Sequence, residues 1–132
     1  MDDQQQQMAQ ACLEAADTGR MTFPQIVDAL MRAGFESYAI DYRRGTATFY
    51  LPDGESLELP AHREPSVAEG FDVLALQAAI REAQQLVPGY SYRGFCRKAA
   101  AAGCAGYIVS FAGRRALYFG RAAETHTELF PR

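Results

Sequence analysis

The 132-residue chain lacks every short signature that announces a common nucleotide or hydrolase site: it has no G-x-G-x-x-G, P-loop, H-E-x-x-H or G-x-S-x-G and no zinc-spaced cysteine set. Its three cysteines, Cys12, Cys96 and Cys104, form no C-x-x-C pair and would leave one thiol over in any disulfide scheme. Reduced thiols, and with them a cytoplasmic location, are the expectation. No apolar run approaches the roughly 18 residues that a membrane span needs, and Met1 to Gln7 is acidic and glutamine-rich rather than basic then apolar. Neither a membrane partner nor a secretory signal is expected. Positive charge is also short: 13 Lys and Arg against 16 Asp and Glu give a net charge of −3, with a pI near 5.3. Without clustered cations to displace counterions from phosphates, non-specific nucleic-acid binding is excluded as a main activity.

What the chain does contain is a copy of itself. Reading Thr22 to Tyr50 against Ser91 to Phe119, at an offset of 69 residues (103 minus 34, Gly103 against Gly34), aligns Phe23 with Tyr92, Tyr38 with Tyr107, Ile40 with Val109, Tyr42 with Phe111 and Phe49 with Tyr118. No gap is needed over that span. Beyond it, Glu58-Leu59-Pro60 is matched to Glu128-Leu129-Phe130-Pro131 by a small insertion in the second half. The halves run over about 4–60 and 71–131, with 61–70 as a linker too short to separate independent domains, so residues 1–132 are read as one domain.

Each half reads as two helices and three strands. Met8, Ala11, Cys12 and Ala15 recur at helical spacing over about Gln4 to Ala16. Thr22 caps a second helix with Pro24 in its first turn, and Gly34 stops it. In the second half a helix is expected over about Phe71 to Leu86, ended by Pro88-Gly89, and Ser91 caps a fourth that Gly103 stops. After each glycine the period changes to two: Tyr38, Ile40 and Tyr42 share one strand face, and Tyr107, Val109 and Phe111 share the equivalent one. Turns at Arg43-Arg44-Gly45, Pro52-Asp53-Gly54 and Ala112-Gly113-Arg114 lead to further strands near Thr46–Leu51, Glu55–Leu59, Arg115–Phe119 and Glu124–Phe130. The expected fold is α+β, an internal duplication of an ααβββ unit with a mainly antiparallel sheet, helices packed on it and pseudo-twofold symmetry.

With Ala102-Gly103-Cys104-Ala105-Gly106-Tyr107, Arg115-Ala116-Leu117-Tyr118-Phe119-Gly120 and Glu124-Thr125-His126-Thr127-Glu128-Leu129-Phe130-Pro131 in view, the chain resembles the YdfO/YbcV-like family of small uncharacterised bacterial proteins, often prophage-encoded and sometimes labelled "phage envelope protein". The resemblance implies a fold and a phage-derived origin. It carries over no catalytic residue.

The residues themselves offer one polar constellation. On a strand, Glu124, His126 and Glu128 share a face, where an imidazole beside two carboxylates suits a general base or a metal, or else simply a solvated surface. Arg115 or Arg121 would help such a site bind an anionic substrate, and Tyr118 is a further binding candidate on the neighbouring strand. A Cys–His pair, Cys96 or Cys104 with His126, is a further arrangement for nucleophilic chemistry. Cys104 follows a helix-ending glycine and aligns with Phe35, which reads as buried filler. The strand aromatics, Tyr38, Tyr42, Phe49, Tyr50, Tyr107, Phe111, Tyr118 and Phe119, suggest a binding face, and the seam between halves suggests a cleft. The leading expectation is a non-enzymatic binding protein for a small ligand, a protein partner or a second copy of itself. Its binding residues are His126, Glu124, Glu128, Arg115, Arg121 and Tyr118, with no catalytic or metal-ligating residue assigned and no cofactor implied. A small metal-dependent or general-base enzyme centred on Glu124, His126 and Glu128 is the alternative.

Overall fold

The structure, a computed structural model, describes residues 1–131, so Arg132, the last residue of the expected domain, lies outside the described residues. The element order is α1 (Asp3–Thr18), α2 (Phe23–Arg32), β1 (Ser37–Asp41), β2 (Thr46–Tyr50), β3 (Ser56–Pro60), α3 (Val73–Gln85), α4 (Tyr92–Ala101), β4 (Cys104–Ser110), β5 (Arg115–Gly120) and β6 (Thr125–Leu129). The class is α+β.

Local chemistry sets the helix ends. Asp2 and Thr22 each accept from the backbone N–H three residues on, and Gln5 and Gln25 each accept in return from the cap N–H, closing two capping boxes. Asp72 and Ser91 cap α3 and α4 with one such bond each. Each cap satisfies a donor that the helix cannot, for about 1 kcal/mol. Gly34 and Gly103 follow α2 and α4 with φ of 101° and 90°, where a side chain is strained.

All six strands form one antiparallel sheet in the order β3-β2-β1-β4-β5-β6, so the halves meet at β1 and β4. The pairing is the same in both halves. Tyr38 pairs with Phe49 as Tyr107 pairs with Tyr118, and Phe49 pairs with Leu57 as Tyr118 pairs with His126. The left-handed turn residues also correspond, Gly45 (φ 68°) with Arg114 (φ 51°) and Gly54 (φ 95°) with Ala123 (φ 65°). The common register therefore runs without a gap into the third strand. The insertion drawn from sequence is not present there: His126 stands where the first half has Leu57, and Glu128 where it has Leu59.

The helices cover one face of this sheet. Leu30 of α2, Leu76 of α3 and Cys96 of α4 are fully buried with Tyr38, Ile40, Phe49, Tyr107 and Val109 in one core. Burying a side chain the size of leucine contributes roughly 1.5–3 kcal/mol. On α1 Cys12 and Ala15 are buried as expected, but Ala9 joins them in place of Met8 and Ala11, and Met8 stays 37% exposed because α1 rests on its small residues.

The aromatic strand residues mostly line the helix-covered side. Tyr38, Tyr42, Phe49, Tyr107, Phe111 and Tyr118 are buried, which corrects the expectation of an exposed aromatic face. Tyr50 and Phe119 point to the uncovered side with Ile108 and Leu117. The cause is parity: all six buried rings occupy the inward set, and the helices take that side.

Candidate ligand-binding cleft

Between the helix layer and the sheet lies a cleft of about 800 Å³, bounded by the end of α1, the start of α2, the end of α3 and the start of α4 above, and by the inner sheet face below. Its volume falls in the range of small-molecule sites. The opening lies where each helix pair turns, at the α1–α2 turn around Gly19 and the α3–α4 turn around Pro88-Gly89. The floor combines the two halves, with Tyr38, Ile40 and Phe49 from one and Tyr107, Ala116 and Tyr118 from the other.

The polar groups in this apolar setting are few and placed together. The Tyr92 and Tyr107 hydroxyls share a hydrogen bond of 2.6 Å. Burial pushes the hydroxyls of Tyr38, Tyr92, Tyr107 and Tyr118 above the usual tyrosine range, so they stay neutral and serve as donors or acceptors. On the edge strand β6, Glu128 faces the cleft across from Ala116, and His126 lies across from Tyr118, their ring centres 6.4 Å apart. His126 Nε2 is 3.3 Å from Glu128 Oε1, yet poorly aligned, and this buried nitrogen has no hydrogen-bond partner.

The sequence-derived residues thus divide. Tyr118, His126 and Glu128 come together at the β5–β6 end of the cleft. Glu124 precedes β6, and its carboxylate accepts the Ala122 N–H at 3.0 Å, tying the β5–β6 turn. Arg115 is exposed on the opposite sheet face and donates to Gly113 O, and Arg121 reaches Val67 O at 3.3 Å. Neither arginine lines the cleft.

The thiols are poor nucleophiles here. Cys96 and Cys104 are fully buried, burial pushes both up to about 11, and the Cys104 thiol donates to Gly106 O. Among the described residues no group of three or more His, Cys, Asp and Glu side chains is arranged to hold a metal ion. The other histidine, His62, contacts the buried Glu64 at 2.5 Å beside a smaller hollow of about 290 Å³. Sequence reading missed the helical wall of the cleft, Cys12, Asp17, Tyr90 and Tyr92, whose only signal was that Tyr92 aligns with Phe23, another lining residue.

A family of proteins of unknown function, DUF1398, matches residues 13–128. The chain belongs to that family. The DUF1398 match takes in the end of α1 from residue 13, all of α2, α3 and α4, and all six strands but for the last residue of β6, and so includes Tyr118, His126 and Glu128. No protein with a curated description matches the chain. Among the described residues no helix is long and apolar enough to cross a membrane.

Proposed function

We propose that the protein is a non-enzymatic binding protein that holds a small, largely apolar ligand in the cleft between its helix layer and its sheet. The observation that carries this reading is the cleft itself: about 800 Å³ between two layers, floored by rings from both halves, with a few neutral hydroxyls and two carboxylates, Asp17 and Glu128, to orient a guest. Its polar end supports the reading independently. Glu128, which lines the cleft, stands on β6 where β3 has Leu59, and a carboxylate in place of leucine beside an apolar cleft costs stability unless a guest uses it.

Three further expectations belong to the proposal. The shared registers support descent of the two halves from one duplicated unit within a single domain. Three buried free cysteines support a reducing, cytoplasmic setting. Kinship with the prophage-linked YdfO/YbcV-like proteins rests on the C-terminal motifs.

The test is binding of N-phenyl-1-naphthylamine, a neutral dye that brightens in apolar sites, to the full chain. Binding is expected with wild type, and loss of it with Ala116→Phe or Ala83→Phe, which fill the cleft from the sheet and from α3 respectively. A dye that fails to bind, or that binds folded filled variants equally well, overturns the reading.

A further inference from the structure

The charges that line the cleft are one-sided, while Arg114 lies over the Phe130 ring at its rim, 5.8 Å from the ring centre. Nine aromatic rings line the cleft, together with two carboxylates, Asp17 and Glu128, and no lysine, arginine or histidine. Asp17 is already engaged, 3.3 Å from Arg93. Glu128 is not paired with any arginine or lysine among the described residues; its nearest charge-capable neighbour is the His126 ring. Its side chain is about one-third exposed, at 30%, so a charge placed beside it is screened less than at a fully exposed carboxylate. Ala116 opposite it leaves room above the sheet, and Tyr118 borders that room two residues along the same strand. The faces of phenol and phenyl rings carry negative potential, and a cation within about 6 Å of a ring centre is attracted to them. An anion beside Glu128 meets ring faces and a carboxylate, with no lysine or arginine among the lining side chains to hold it.

We infer that the cleft selects organic cations: an apolar or aromatic body carrying an ammonium-like or phosphonium-like centre, which sits against the tyrosine faces with Glu128 as counter-charge. The inference rests on the reading of the cleft as a ligand site and assigns that ligand its chemical class. It departs from the anionic substrate that Arg115 and Arg121 suggested in the sequence, since neither side chain lines the cleft.

The test uses the full chain loaded with N-phenyl-1-naphthylamine and two displacing ions of similar size and shape but opposite charge, tetraphenylphosphonium and tetraphenylborate. The cation should displace the dye at a concentration at least about tenfold lower than the anion, a difference of about 1.4 kcal/mol. Glu128→Gln should shrink that gap to about threefold or less. Glu69→Gln, an equal change of net charge at an exposed linker residue, should leave it. Dye that binds the cleft but is displaced equally by both ions, or a gap that Glu128→Gln and Glu69→Gln change alike, overturns cation selectivity and leaves the cleft as a general apolar site. Dye that does not bind wild type, or is not blocked by Ala116→Phe and Ala83→Phe, removes the cleft reading and the inference with it.

Discussion

Ala39 and Ile108 lie directly opposite each other where the two halves of the sheet meet, and each holds in its own half the place the other holds in the second. Around that pair the register is symmetric: Tyr38 faces Val109, the counterpart of Ile40, and Ile40 faces Tyr107, the counterpart of Tyr38. A small residue and a larger one share the centre of the uncovered face. On the covered face the same symmetry brings equivalent tyrosines from both halves beneath one cleft, Tyr38 and Tyr107 with ring centres 6.3 Å apart.

Equivalent glycines should differ in what they tolerate. A Cβ on Gly103 would fall 2.0 Å from Gly70 O, a backbone atom that cannot step aside, whereas one on Gly34 would meet only the end of the Gln5 side chain at 3.3 Å. Gly34→Ala should cost about 1–2 kcal/mol, the price of left-handed backbone alone. Gly103→Ala should cost more than about 4 kcal/mol, in the range reserved for severe defects. Urea denaturation of both variants checks the ordering, and equal losses would contradict it.

Ala123 holds a left-handed conformation, φ 65°, at the turn where the first half uses Gly54. Ala123→Gly relieves that strain and should stabilise the protein by about 1 kcal/mol, seen as a higher urea midpoint. A lower midpoint would show that the flexibility gained by the unfolded chain outweighs the strain removed.

His126 should cost stability. Its buried Nε2 lacks a hydrogen bond, and the equivalent residue Leu57 packs the same kind of site without a polar atom. His126→Leu is expected to stabilise by about 1 kcal/mol, since removing an unmet buried polar group recovers part of its desolvation cost. A melting temperature several degrees higher checks this. A lower one would mean that the imidazole makes a contact stronger than the packing that replaces it.

Alkaline pH should weaken the fold before it breaks any covalent bond. Burial raises the Cys96 and Cys104 thiols from 9.0 to about 11, so the folded state holds their protons more tightly than the unfolded chain does. Their contribution is complete below about pH 9 and is lost as pH rises to about 11, at a slope of up to about 1.4 kcal/mol per pH unit for each thiol. Urea midpoints at pH 8 and pH 10.5 should show a fall that Cys96→Ala reduces. A midpoint that does not move with pH would contradict the buried, protonated thiols.

Much of the backbone plan is legible in the residues. Thr22 and Ser91 announce helix starts, Gly34 and Gly103 their ends, and period-two alternation after each glycine gives strand parity, because these depend on neighbours a few residues away. The third strands were harder. Glu58-Leu59-Pro60 and Glu128-Leu129-Phe130-Pro131 look alike, and that likeness hides the true pairing of His126 with the Leu57 position, which only the shared register with β2 and β5 reveals. The cleft was not legible at all beyond a seam between halves. Its volume depends on how far two short helix turns hold α1–α2 and α3–α4 above the sheet, a distance between layers that no local pattern encodes.

The four isoleucines offer the most direct measurement of where a ligand goes. Ile26, Ile40 and Ile80 line the cleft, and Ile108 lies on the uncovered sheet face, 45% exposed. With only the isoleucine δ1 methyl groups labelled, addition of N-phenyl-1-naphthylamine or tetraphenylphosphonium should shift the methyl signals of Ile26, Ile40 and Ile80 in the carbon–proton correlation spectrum and leave that of Ile108 in place. A spectrum in which Ile108 alone moves, or in which none of the four responds, would contradict a ligand held between the helices and the sheet.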